Sequence, residues 1–182
     1  QNGPTDEVTT AIKRIHRYLS GTKNLGLVFR RGKVVDLHGY VDADWGAEEK
    51  RSRSTTGYIF FLNECSSGIS TFSGLQTHVA TSTAHAEYGA AYSCVLQAIF
   101  LRGIVYDLGI DLQGPTVLRE DNKACIAISE NPISHKTTKH FDVKLHYVRE
   151  QRKERKVILT QVKSEDQLAD GLTKALPKAT FT

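Results

Sequence analysis

The sequence predicts an α/β fold in which a β meander is followed by helices that alternate with two further strands. Between residues 34 and 72, three runs rich in β-branched and aromatic residues are separated by polar or glycine-bearing turns ("VVDLHGYVDAD", "STTGYIFFL" and "SSGISTF"). From Ser82 the pattern changes to that of a long helix ending at Gly109. Two short apolar runs then alternate with helical segments, which predicts that strands 4 and 5 join the same sheet through helical crossovers.

The elements before the meander follow from periodicity. Val8, Ile12, Ile15 and Leu19 recur at intervals of three and four residues, which predicts an amphipathic helix. The apolar stretch "NLGLVFRR" after it predicts a short strand.

After Gly109 the chain predicts a strand at "TVLRE" and a compact helix at "NKACIAISE", ended by Asn131-Pro132. A basic helix is predicted over about residues 138–155, with Leu145 and Val148 on its buried side. A fifth strand ("KVILTQV") leads into one continuous final helix, with Ser164 as its N-cap and "EDQLADGLTKAL" behind it.

Composition places the chain among ordinary globular proteins, with 182 residues, 40% hydrophobic and 24% charged. No apolar run approaches the roughly 20 residues of a membrane span, and no secretory signal is recognisable. Three widely spaced cysteines (Cys65, Cys94, Cys125) predict reduced thiols in a cytosolic or nuclear protein. The net charge of +4 permits a polyanionic partner without requiring one. Because no methionine opens the chain, we interpret it as a fragment of something longer, such as a processed polyprotein.

Acidic residues lie at the ends of several predicted elements. Asp42 is predicted to end the first meander strand, and Asp121 directly follows the fourth; Glu87 and Asp170 fall in the first turns of two helices. Functional groups of open α/β sheets collect at the carboxyl ends of adjacent strands, so the four acids could converge. Clustered carboxylates are electrostatically costly without cations, and all-oxygen ligation favours Mg²⁺ or Mn²⁺ over Zn²⁺.

Each acid also has a simpler interpretation. Asp42 or Asp44 could be a turn residue at a strand end, and Glu87 a partner of its helix dipole. Asp121-Asn122 could be an N-cap, and Asp170 a solvated helix acid. The joint placement of the acids is what favours a metal site.

Six motifs follow one another along the chain after "RIHRYLSGT": "YVDADW", "STTGYIFFL", "TSTAHAEY", "REDNKACIAI", "TKHFDVKLHYVRE" and "SEDQLADGLTK". In order and spacing they resemble the ribonuclease H domain of copia-type retrotransposon polyproteins. "RIHRYLSGT" resembles the end of the reverse transcriptase portion in these elements. The resemblance covers essentially the whole chain.

The resemblance implies a ribonuclease H-like fold, a five-stranded mixed sheet of order 3-2-1-4-5 flanked by helices. It implies that the catalytic and metal-binding acids are Asp42, Glu87, Asp121 and Asp170, with Asp44 a helper or turn residue. The implied activity is endonucleolytic hydrolysis of the RNA strand of an RNA–DNA hybrid during reverse transcription. Two Mg²⁺ ions about 3.5–4 Å apart would assist it, with Mn²⁺ as a substitute.

The resemblance also implies the domain boundaries, the binding partners and the cellular location. Residues 1–32 would be the C-terminal tail of the reverse transcriptase or its connection segment, and residues 33–182 the ribonuclease H-like domain. The expected partners are the hybrid and the reverse transcriptase of the same polyprotein, without a membrane. We expect a cytoplasmic location in a virus-like particle, or a nuclear one. Candidate substrate-binding residues are Asn122, Lys139 and His140, and His140 has a buried structural role as its alternative.

The basic helix has two interpretations, since its edge could contact nucleic-acid phosphates or be a solvated face with Arg149 and Arg152 paired to glutamates. The sequence also departs from the family next to two of the candidate acids. His85, two residues before Glu87, stands where the family usually has a glutamate. Glu120, directly before Asp121, stands where a small or apolar residue is more usual. Strand alternation predicts that Glu120 faces away from Asp121.

The sequence is compatible with three alternatives to a nuclease function. The main one is a non-catalytic ribonuclease H-like connector or nucleic-acid-binding module of a reverse transcriptase or domesticated element. A second is an integrase or resolvase core on the same fold, whose usual acids do not match the Asp170 motif. A third is a glycosyltransferase-type site at Asp42 and Asp44, which leaves Glu87 and Asp121 unexplained.

Overall fold

The computed structural model describes residues 5–30, 34–48, 53–63, 67–130 and 139–177, without the side chains of residues 47, 48 and 139–142. Its five strands form one mixed sheet of order β3-β2-β1-β4-β5, which confirms the predicted fold class. The strands are β1 (His38–Glu48), β2 (Arg53–Phe61), β3 (Ser70–Leu75), β4 (Thr116–Glu120) and β5 (Val157–Gln161).

The register places the meander antiparallel and the last two strands parallel. In the β1–β2 pair, Asp42 lies opposite Gly57. In the parallel β1–β4 pair, Tyr40 lies opposite Arg119, so Asp42 and Asp121 each follow two residues later along neighbouring strands. The guanidinium of Arg119 lies 5.0 Å from the centre of the Tyr40 ring. The candidate acids of the two strands therefore come to the same part of the sheet.

The helices are α1 (Asp6–Thr22), α2 (Thr83–Asp107), α3 (Lys123–Glu130), α4 (Lys139–Lys153) and α5 (Asp170–Thr173). Ser82 caps α2 by accepting a hydrogen bond from the backbone of His85, and Gly109, with φ +76°, follows the end of the helix. The core lies between α2 and the sheet, where Val41, Phe60 and Leu118 are fully buried. Leu145 and Val148 bury the inner side of α4, as predicted.

Two predicted strand features were wrong. β1 does not end at Asp42 but continues to Glu48, with a register shift between Asp44 and Glu48. Asp44 pairs with Thr55 in that ladder and is not a turn residue. Residues 24–30 form no strand: Val28 exchanges hydrogen bonds with the backbone and the hydroxyl of Ser67, and the Arg30 carbonyl accepts from the side chain of Asn63 at 3.3 Å. A β ladder requires repeated backbone-to-backbone pairing, which bonds to side chains do not provide.

The last helix is also shorter than predicted. A 3₁₀ helix (Ser164–Asp166) is separated from α5 by residues 167–169, of which Gln167 is extended (φ −78°, ψ 98°). The Gln167 amide donates to the Val41 carbonyl at 2.9 Å and accepts from the Ala169 backbone at 3.2 Å. These bonds hold the side chain inside the protein and interrupt the helix. Ser164 is consequently not an N-cap.

Two helices differ in how they use their apolar residues. Of the described residues, those of α2 alone form a helix long and apolar enough to cross a membrane by length and composition. Its buried residues pack on β1 and β2, so the core of the domain accounts for that composition. In contrast, no residue of α1 is buried. Its apolar stripe is about half exposed: Val8, Ile12, Ile15 and Leu19.

Candidate metal centre

Three of the predicted acids come together from three elements. Asp42 lies on β1, Glu87 in the second turn of α2, and Asp121 immediately after β4. One carboxylate oxygen of each lies within 4.8 Å of the others. Asp42 is 2% exposed and Glu87 is 4% exposed, so two of the three carboxylates are shielded from water. The small residues Ala86, Gly89 and Ala90 are all buried in this part of α2, which packs on β1.

The cluster disfavours negative charge when no cation is present. Burial raises the pKa of Glu87, and repulsion by Asp42 and Asp121 adds to it, bringing it to about 8. The pKa of Asp42 is also raised by burial, against a hydrogen bond from Thr173 and the charge of Lys174, which lower it. Glu87 accepts a hydrogen bond from the backbone of Ala43, but its Oε2 has no hydrogen-bond partner.

Glu120 is a fifth acid, close enough to the cluster for the charge of Glu87 to raise its pKa, although it is not among the three acids whose oxygens lie within 4.8 Å. It is fully buried on the same side of β4 as Leu118, and its Oε2 has no hydrogen-bond partner. Burial, followed by repulsion from Glu87, raises its pKa well above the ordinary value. Alternation along β4 places Glu120 on the buried face of the strand, where Glu87 of α2 is close enough for its charge to act on it. Glu120 Oε1 accepts from the Asn122 backbone at 3.0 Å, which holds the turn containing Asp121.

Asp170, the fourth predicted acid, is connected to the cluster by Lys174, which lies between Asp170 and Asp42. It is the first residue of α5 and pairs with Lys174, whose Nζ lies 2.9 Å from its Oδ1 and 3.9 Å from Asp42 Oδ2. Burial lowers the pKa of Lys174, but the hydrogen bond to Asp170 and the attraction of Asp42 outweigh it, so the pKa is raised. Asp170 is not among the three acids whose oxygens lie within 4.8 Å.

Sequence reasoning missed the polar groups that support the acids. The Ser164 hydroxyl donates to Asp121 Oδ2 at 2.7 Å, and the Thr173 hydroxyl donates to Asp42 Oδ2. Thr173 and Lys174 follow Asp170 by three and four residues, and this spacing on one helix face was the signal available in the sequence. Ser164 gave no such signal, because its contact depends on the interrupted final helix.

The predicted substrate-binding residues are placed as follows. Asn122 caps α3, with its Oδ1 accepting from the Cys125 backbone at 3.1 Å. The helix α4 begins with Lys139 and His140, whose side chains lie outside the described structure. Their predicted contacts with substrate therefore stay predictions.

On the basic helix, Arg152 pairs with Glu130 at 2.7 Å. Arg149 donates from Nε and Nη2 to the Ile128 carbonyl, at 3.1 and 2.8 Å. The predicted glutamate pairing is confirmed for Arg152. Both arginines link α4 to α3, which agrees with a structural role for this part of the helix.

The donor set fits a divalent cation. Three carboxylate oxygens at these separations, two of the acids nearly inaccessible to water, are hard ligands of the kind that Mg²⁺ and Mn²⁺ take. The unpartnered Glu87 Oε2 is a buried acceptor that a cation could satisfy.

Solved structures share this fold at low sequence identity. A complex of the ribonuclease H1 LC11 with an RNA/DNA hybrid has a TM-score of 0.53 and 17% identity, covering 76% of this chain and 94% of that one. The protease-reverse transcriptase of prototype foamy virus has a TM-score of 0.54 and 14% identity, covering 80% of this chain and 21% of that one. The fold is that of a ribonuclease H, and with the acidic centre it defines a ribonuclease H-like domain.

Sequence comparison gives the relationship more closely. The chain is 36% identical over 178 residues to the Pol polyprotein of transposon RE1 from Arabidopsis thaliana, and 35% identical over the same length to that of TNT 1-94 from Nicotiana tabacum. These alignments cover 98% of this chain but 12% and 13% of the polyproteins. No protein-family model matches the chain. The domain is thus homologous to a segment of copia-type retrotransposon Pol polyproteins.

Proposed function

We propose that the chain is a metal-dependent ribonuclease H that hydrolyses the RNA strand of RNA–DNA hybrids during reverse transcription. The observation that carries the proposal is the convergence of Asp42, Glu87 and Asp121 on the ribonuclease H fold. A module that only binds or connects gains nothing from three carboxylates that repel one another in a buried site. The hybrid bound to the related LC11 structure supports the choice of substrate.

Asp42, Glu87 and Asp121 would hold the cation, with Asp170 completing a second position. When bound, Mg²⁺, or Mn²⁺ as its substitute, would supply activation of water and stabilisation of negative charge on the leaving 3′ oxygen. Ser164 and Thr173 donate hydrogen bonds to Asp121 and Asp42, respectively. Because the pKa of Glu87 is about 8 without metal, cation binding at neutral pH requires Glu87 to lose a proton. Binding should therefore strengthen as the pH rises.

The wider role is proposed from the homologues and from α1. We propose that residues 1–32 form the end of the reverse transcriptase portion and residues 33–182 the nuclease domain. Two observations support this division: the relatives are Pol polyproteins, and the apolar stripe of α1 lacks a buried residue. The partners would be the hybrid and the reverse transcriptase of the same polyprotein, in a cytoplasmic virus-like particle or in the nucleus.

The test is cleavage of an RNA–DNA hybrid labelled on its RNA strand, with Mg²⁺ or Mn²⁺. Asp121→Asn keeps the shape of the side chain and removes its charge, so we expect a loss in rate of at least the roughly 10- to 100-fold typical of disturbed metal sites. Asp107→Asn, at an exposed aspartate at the end of α2, is the matched control and should cut like the wild type.

The outcomes separate the candidate functions. RNA cleavage that Asp121→Asn abolishes supports the nuclease. Hybrid binding without any cleavage at high protein concentration, in both ions, refutes it and favours the non-catalytic connector. If neither binding nor cleavage occurs, the same assay is repeated with the reverse transcriptase portion joined to the chain.

A further inference from the structure

The hydroxyl of Thr173 contacts a candidate metal ligand from a different element. It donates a hydrogen bond to Asp42 Oδ2, and the Asp170 carbonyl lies 3.2 Å away as a second acceptor. A hydroxyl has one proton, and a charged carboxylate is the stronger acceptor. Thr173 is 8% exposed, so water does not compete freely for this bond. Among the described residues, no other side chain donates a hydrogen bond to Asp42.

The contact depends on a glycine opposite Asp42. Gly57 pairs with Asp42 across β1 and β2. A Cβ at position 57 would lie 2.7 Å from Thr173 Cγ2 and 2.9 Å from Leu172 Cβ, closer than real Cβ atoms come. The bare backbone of Gly57 therefore lets α5 lie directly on the strand.

Two more bonds hold this segment on the sheet. The Ser73 hydroxyl of β3 donates to the Leu172 carbonyl at 2.6 Å, and Gln167 donates to the Val41 carbonyl. The position of Thr173 is thus fixed by contacts with β1, β2 and β3. A donor held this firmly can fix the rotation of the Asp42 carboxylate.

We propose that Thr173 is a positioning residue that holds Asp42 in the orientation needed to bind a divalent cation. This inference rests on the proposed metal centre. A carboxylate offers about four acceptor sites, so one hydrogen bond leaves Asp42 free to ligate an ion. Loss of a group that orients a metal ligand typically weakens metal affinity 10- to 100-fold.

Two pairs of variants isolate the hydroxyl. Thr173→Val replaces it with a methyl group of similar size and keeps the packing on Gly57. Thr173→Ser keeps the hydroxyl without the methyl group, and Thr173→Ala lacks both, so the serine–alanine comparison isolates the hydroxyl even if the valine variant does not fold. Thr71→Val, at an exposed threonine of β3, controls for the substitution itself.

The readouts are Mn²⁺ affinity by titration calorimetry, thermal unfolding in chelator, and steady-state cleavage of the hybrid. We expect Thr173→Val and Thr173→Ala to bind Mn²⁺ about tenfold more weakly, and Thr173→Ser and Thr71→Val within about twofold of wild type. In cleavage, kcat of the two weakened variants should fall at low Mn²⁺ and recover at saturating Mn²⁺, with the KM for hybrid unchanged.

The opposing results are distinct. Wild-type affinity in both variants that lack the hydroxyl would overturn the role of Thr173 and leave the metal centre in place. Equal weakening in the serine and alanine variants would assign the effect to packing and overturn it as well. If the wild-type protein binds no Mn²⁺, the proposed metal centre fails, and the role of Thr173 fails with it.

Discussion

Replacing Glu87 by glutamine should stabilise the metal-free protein, and increasingly so as the pH rises. The pKa of Glu87 is raised from 4.5 to about 8, first by burial and then by Asp42 and Asp121. A carboxyl group whose pKa is higher in the folded than in the unfolded protein stabilises the folded state as long as the carboxyl group is protonated. That contribution is complete below pH 4.5 and is lost as the pH rises towards 8. Glutamine has the same shape, does not ionise, and can still accept the Ala43 hydrogen bond.

The magnitude follows from linkage. Each tenfold difference in proton affinity between the folded and unfolded states is worth about 1.4 kcal/mol, which gives an upper bound of about 5 kcal/mol well above pH 8. Between pH 5 and pH 8, the free energy of unfolding of Glu87→Gln should rise by about 3 kcal/mol relative to wild type. For a chain of this size, that corresponds to about 6–12 °C in melting temperature.

The assay is thermal and urea unfolding in chelator from pH 5 to pH 8, for wild type, Glu87→Gln and Glu154→Gln. Glu154 is an exposed glutamate paired with Lys156, so its variant should follow the wild-type curve. Adding Mg²⁺ at pH 8 should stabilise the wild type and leave Glu87→Gln unchanged or nearly so. A constant difference between Glu87→Gln and wild type at all pH values would refute the reasoning, as would a variant that is less stable at pH 8.

Two further predictions concern the supports of the site. Gly57→Ala should destabilise the protein by about 1–3 kcal/mol, because the added Cβ would collide with Thr173. The control is Gly103→Ala in α2, where an added Cβ meets nothing within 4 Å, so this variant should be neutral or more stable than wild type. Equal midpoints of urea unfolding for the two variants would contradict the prediction. Asn122→Ala should cost about 1 kcal/mol through loss of the α3 cap, with Lys123→Ala as an exposed control in the same helix, and an unchanged unfolding midpoint would exclude the capping role.

The sequence by itself determined the features that depend on local pattern. Alternation and turn residues defined the meander, and the small-residue start of α2 together with Ser82 and Gly109 defined the long helix. The placement of acids near the ends of predicted elements also indicated that Asp42, Glu87, Asp121 and Asp170 could converge, and the first three do so, although β1 continues beyond Asp42. These predictions needed no knowledge of individual side-chain contacts.

The tertiary structure decided what depends on contacts between distant residues. The helical pattern after Ser164 is interrupted because Gln167 finds partners on β1, about 126 positions away in sequence. Glu120 is buried beside Glu87 because two elements approach from the same side of the sheet. Thr173 reaches Asp42 because Gly57 leaves room for it. Each of these depends on the separation of side chains brought together by folding, and local periodicity carries no information about that separation.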